Sequence, residues 1–131
     1  MFRQRIISII FFCLYLAAVA YLCFAKTEDI PELPEMWLGI PFDKIGHFLM
    51  FMPFPILGYM TLYKHNRKIS AATLILIGLI ILGIAVAFGT ELVQAHLQYR
   101  SFELTDIASD TLGLLFGGFL VFSYFALRRA K

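Results

Sequence analysis

Four long apolar stretches separated by polar gaps constrain this chain more than any other feature of it. They fall at about residues 6–25, 45–63, 69–88 and 106–127, each near the ~20 residues a helix needs to cross a bilayer. Hydrocarbon offers the backbone no hydrogen-bonding partner, so segments of this kind must be helical and bundled. The expected fold is therefore all-α: one polytopic membrane domain over 1–131, a bundle of four transmembrane helices. Composition agrees. The 131 residues are 60% hydrophobic and 15% charged, with mean hydropathy +0.81, and a soluble domain carries nearer about a quarter charged residues. Four spans and their connections use up this length, so any chemistry is expected among the helices and short loops.

The charges are sorted by gap. Glu28, Asp29, Glu32, Glu35, Asp43, Glu91, Glu103, Asp106 and Asp110 all lie in or beside the gaps 26–44 and 89–105. The N-terminus, the 64–68 turn and the C-terminus carry only bases: Arg3, Arg5, Lys64, Arg67, Lys68, Arg128, Arg129 and Lys131. Lys26, Lys44 and Arg100 are the bases on the other side. By the positive-inside rule, both termini and the 64–68 loop are cytoplasmic and the two acidic loops face outward. These small basic groups hug the membrane and do not make a nucleic-acid surface.

The first stretch has a basic start and an Ala18-Val19-Ala20 triplet, as a cleavable signal peptide does. Its apolar character continues through Phe24, which favours a retained span. Cys13 and Cys23, about 15 Å apart along one helix, cannot pair with each other and read as small apolar fillers. Pro31, Pro34 and Pro41 argue against helix in the first gap, and Trp37 suits headgroup level. Pro53 and Pro55 should kink or locally open the second span.

Candidate functional residues gather at the outward helix ends. Asp43 and His47 are four apart on one helical face, with Lys44 beside them. Glu91 and Gln94 share a face, and Arg100 follows in the loop. Asp106, Asp110, Gly113 and Gly117 form one stripe, the glycines suited to close helix approach. Structural roles are available to several of these. Asp43, and Thr105 or Asp106, suit helix N-caps, and Lys44 can snorkel to water. His65 and His96 read as solvated. His47 and Asp110 are harder to dismiss, because each lies a turn inside a span, where ionisable groups face a partner or a wet cavity. Glu91 sits at a helix C-terminus, where the macrodipole disfavours an anion, so it calls for a cation such as Arg100, Lys44 or protonated His47. The expectation is one outer cavity where His47, Glu91, Arg100, Asp106 and Asp110 converge.

The pattern Asp43-Lys44-x-x-His47, Glu91-x-x-Gln94, Arg100, Asp106-x-x-x-Asp110-x-x-Gly113-x-x-x-Gly117 resembles the VanZ-like membrane proteins, named after a teicoplanin-resistance protein. The family commonly has Asn where this chain has Asp110. The resemblance implies a multi-pass protein of the bacterial cytoplasmic membrane, associated with glycopeptide resistance or the cell envelope. It supplies no established reaction.

Two functions follow as expectations. In the first, Asp43, Lys44, Gln94, Arg100 and Asp110 line a site for an anionic lipid headgroup or a glycopeptide. In the second, an intramembrane hydrolase or transferase acts on a lipid-linked substrate at the outer leaflet, with His47, Glu91 and Asp106 as catalytic candidates. No recognised metal-ligand spacing is present, so no cofactor is assigned. The oxygen-rich donor set would suit Mg²⁺ or Mn²⁺ if one were bound. Transport is disfavoured by the short chain, the lack of repeats and the polar residues gathered at one face, although an oligomer would answer the first objection.

Overall fold

The structure, a computed structural model, describes residues 2–26, 28, 35–63, 67–98 and 101–129, the side chain of residue 129 excepted. Helix α1 is Phe2–Phe24; a hairpin of β1 (Met36–Trp37) and β2 (Ile40–Pro41) follows. The second span is two helices, α2 (Phe42–Phe51) and α3 (Pro53–Leu62), and α4 (Ile69–Ala95) and α5 (Leu104–Arg129) complete the bundle. Four helical segments are long and apolar enough to cross a membrane, α2 and α3 counting as one. Helix α5 is central, packed on α2, α3 and α4, while α1 lies against α3 and α4.

Between the helices Phe51, Phe54, Ala87, Leu114, Val19 and Cys23 form the principal core. A smaller cluster of Tyr59, Ala72 and Leu79 lies toward the other end. The outward faces carry exposed Leu74, Ile81, Leu112 and Phe119, as a lipid-facing surface requires. Cys23 is buried and Cys13 exposed, and neither is in a disulfide.

Helix α4 continues through Ala95, well past the end expected at 88. Its buried stripe explains why: Leu76, Leu79, Gly83, Ala87, Glu91 and Gln94 recur at helical spacing. The apolar run ends at residue 88, but the inward face continues with polar side chains that find partners inside the bundle.

Pro53 and Pro55 withhold the donors that would reach the carbonyls of Leu49 and Phe51. The consequence is a local break, not an opening. Met52 keeps helical dihedrals (φ −56, ψ −41) and its N–H still reaches the Phe48 carbonyl at 3.0 Å. Helix α1 serves the same stretch through the Tyr15 hydroxyl, which donates to the Met50 carbonyl at 2.6 Å. Helix α5 crosses this break on its glycines. A Cβ on Gly113 would strike the Phe48 carbonyl, and one on Gly117 would strike the Met52 carbonyl and lie 2.9 Å from Pro55 Cγ.

The hairpin pairs Met36 with Pro41 and Trp37 with Ile40. Leu38 (φ 52) and Gly39 (φ 80) both adopt positive φ, as a two-residue type I′ turn requires. A bond from Phe42 N–H to the Glu35 carbonyl at 3.1 Å closes its base. Pro41 stands in β2 and not in a helix, whereas Pro31 and Pro34, on which the expectation also rested, lie outside the described residues. The hairpin delivers the chain into α2 with Pro41 at the N-cap, so the capping role considered for Asp43 is not realised.

Candidate functional site

The carboxylates collect at the bundle end away from the chain termini. At the termini's end, the start of α1, the end of α3 and the end of α5 meet around a cavity of about 980 Å³ lined by Phe2, Arg5, Tyr63, Tyr124 and Arg128. No acid lines it. At the opposite end, α2, the end of α4 and the start of α5 bring Asp43, Lys44, His47, Glu91, Glu103, Asp106 and Asp110 together.

An outer layer is built on Lys44. Its Nζ lies 2.9 Å from Asp43 Oδ2 and 2.6 Å from Glu103 Oε2, and it also bonds Asp106 Oδ1. The lysine side chain is only 16% exposed, so it does not snorkel into water. Three carboxylates satisfy its three donors. Glu103, which precedes α5, has its carboxyl held below the ordinary carboxylate range by the hydrogen bond and charge of Lys44.

The inner layer is built on His47. Its Nδ1 lies 2.9 Å from Asp110 Oδ1, and its Nε2 lies 3.4 Å from Asp106 Oδ2. Asp110 is fully buried and its Oδ2 has no hydrogen-bond partner. The aspartate acceptor favours a proton on Nδ1 and turns Nε2 toward Asp106. Glu91, 1% exposed, accepts the Glu103 N–H on Oε2 at 3.1 Å and buries Oε1 without a partner. One donor atom each from His47, Glu91 and Asp106 lie within 4.8 Å of one another.

Several expectations are refined by this geometry. Gln94 turns away from the cluster: its Nε2 donates to the Cys23 carbonyl at 2.7 Å, tying α4 to the end of α1. Asp43 is on the rim, more than half exposed, and pairs with Lys44 instead of His47. Thr105 and Asp106 lie within the first turn of α5, not before it. Arg100 and His65 fall outside the described residues. His96 is exposed, with Nδ1 2.7 Å from the Leu92 carbonyl. Glu103 was not singled out beforehand. Its spacing of three from Asp106 was the available signal, since once helix α5 begins at Leu104 both acids reach one lysine.

Among the described residues the assembly has five carboxylates against one lysine and one histidine. With all of them charged, three negative charges remain in excess. Such a centre attracts a proton or a cation before it attracts an anion. Its chemical capacity is to hold one imidazole nitrogen in a fixed direction beside two carboxylates, partly shielded from water.

The chain is 30% identical over 111 residues to an uncharacterised protein of Schizosaccharomyces pombe, covering 85% of this chain and 59% of that relative. The chain thus spans about three fifths of the length of the relative it matches. A yeast relative means that membership alone carries a multi-pass membrane protein and not a bacterial location. No solved structure matches. The VanZ/LLP1 family model matches residues 12–126, which takes in α2, α3 and α4 whole, parts of α1 and α5, and every charged residue of the cluster: the chain belongs to the VanZ/LLP1 family.

Proposed function

We propose that the protein is an intramembrane hydrolase cleaving an ester or phosphoester bond of a lipid-linked substrate. The reaction centre is His47, Glu91 and Asp106, with Asp110 as the positioning residue. It lies at headgroup depth on the face away from the termini, the outer face by the positive-inside rule. The observation that carries this reading is the direction imposed on the His47 ring. Nδ1 is engaged by Asp110 at 2.9 Å, and Nε2 is held toward Asp106 and Glu91. A group that merely packed would not need an oriented imidazole beside two further buried carboxylates.

Non-catalytic binding of an anionic headgroup has less support. Lys44, the lysine in the cluster, is already held by three carboxylates, and the surroundings are net acidic among the described residues. In the hydrolytic reading, water adds to the carbonyl carbon or phosphorus. The bond to the leaving oxygen breaks, and the proton lost by water ends on that oxygen.

The test is headgroup release from phospholipids and lipid-linked cell-wall precursors in mixed micelles. Wild-type protein should turn over one of these, and His47→Ala and Glu91→Gln should each lower the rate by about 100-fold or more. Saturable binding with no product, or turnover surviving both substitutions, contradicts the proposal.

A further inference from the structure

The two layers of the cluster differ in one respect. Asp43, Glu103 and Asp106 form one potential cation site, and the Lys44 ammonium already fills it. His47, Glu91 and Asp106 form a second, one step deeper, and no side-chain cation enters it among the described residues. We propose that this inner site binds one divalent metal ion through His47 Nε2, a Glu91 carboxylate oxygen and Asp106 Oδ2.

Two independent observations point to a ligand there. Glu91 Oε1 is buried without a hydrogen-bond partner, and leaving a charged acceptor so is unfavourable. A cation beside it removes that cost. The second observation is the pair His47 Nε2 and Asp106 Oδ2. With its proton on Nδ1 and given to Asp110, the ring turns a lone pair toward a carboxylate oxygen 3.4 Å away. Two acceptors face each other, which is unfavourable unless a cation lies between them.

The spacing suits a metal after a small contraction. Donors each about 2.1 Å from an ion stand about 3.0 Å apart when adjacent and about 4.2 Å when opposite. The three donor atoms here lie within 4.8 Å, so side-chain rotations that move each donor by up to about an ångström would close the set. Asp110 behind Nδ1 supplies the carboxylate–histidine support that metal-bound imidazoles carry. Two carboxylates and one imidazole favour an ion that accepts oxygen and nitrogen together, with Mn²⁺ ahead of Mg²⁺. The remaining positions would be left for water and substrate. In this arrangement His47 is a ligand instead of a base. The inference deepens the hydrolytic reading by naming its cofactor, and binding can be measured with no substrate present.

The experiment is titration of metal-stripped, detergent-purified protein with MnCl₂, followed by electron paramagnetic resonance. Wild type should bind one Mn²⁺ per chain and show nitrogen modulation from the imidazole. His47→Ala should lose that modulation. Glu91→Gln and Asp106→Asn should each weaken affinity by about 100-fold, while Glu35→Gln, an acid outside the cluster, leaves it unchanged. Mn²⁺ should raise the Tm of wild type and not that of Glu91→Gln, whose Tm without metal also reports that it is folded. Absence of saturable binding, or equal binding by wild type and Glu91→Gln, overturns the proposal. Mn²⁺ binding without hydrolysis would instead overturn only the hydrolytic reading.

Discussion

Asp110, fully buried in α5, holds His47 of α2 by a 2.9 Å contact between Oδ1 and Nδ1. That pair joins two helices inside the bundle and sets the direction in which the imidazole can act. What the ring needs from position 110 is an acceptor. The side-chain oxygen of an Asn at this position could supply one as well.

Substitution at 110 should therefore divide by acceptor. Asp110→Asn is expected to shift stability by less than about 1 kcal/mol, because the amide oxygen can still accept from Nδ1. Asp110→Ala removes the acceptor, leaves a cavity and is expected to cost about 1–3 kcal/mol. Thermal unfolding in detergent distinguishes the two, and equal losses would argue against the acceptor role.

The glycines of α5 should be intolerant in a way that other glycines are not. A Cβ at Gly117 meets the Met52 carbonyl, whereas nothing lies within 4 Å of a Cβ at Gly78 or Gly89. Gly117→Ala is expected to destabilise by about 1–3 kcal/mol, since backbone must move to accommodate it. Gly78→Ala should be neutral or stabilise by up to about 1 kcal/mol. Unfolding midpoints of the two variants measured side by side check the contrast.

Gln94 offers a test of its structural placement. Its amide bonds the Cys23 carbonyl at 2.7 Å, and Cys23 itself is 2% exposed. Gln94→Leu should loosen the end of α1 and raise the labelling rate of Cys23 by a small thiol reagent, in a Cys13→Ser background. An unchanged rate would mean that this bond does not anchor α1.

The hairpin turn carries a residue against its preference. Leu38 holds φ 52 with its side chain in the open, at 83% exposure. Left-handed backbone costs an ordinary L-residue about 1–2 kcal/mol. Leu38→Asn should recover part of this and raise the Tm, whereas a lowered Tm would indicate that the leucine contributes through another contact.

The sequence made the membrane class, the four spans and the gathering of His47, Glu91, Asp106 and Asp110 legible, because hydropathy and charge sorting are strong signals along the chain. Helix ends were less legible. The apolar signal of α4 stops at residue 88, yet Glu91 and Gln94 keep its inward stripe going to Ala95. Side-chain direction was not legible at all. Glu91 and Gln94 sit three apart on one face, but one reaches the cluster and the other a carbonyl of α1. Only the packing of α1 decides between them. Likewise Lys44 had three acids within reach in space, two of which come from beyond residue 100.

The most direct measurement is disulfide trapping in native membranes, with Cys13→Ser and Cys23→Ala as background. The pairs His47→Cys with Asp110→Cys, and His47→Cys with Glu91→Cys, should each form an intramolecular cross-link within minutes of mild oxidation. A control pair, His47→Cys with Tyr124→Cys, should form none. Failure of both test pairs, or cross-linking of the control, would contradict a centre in which α2, α4 and α5 converge on one histidine.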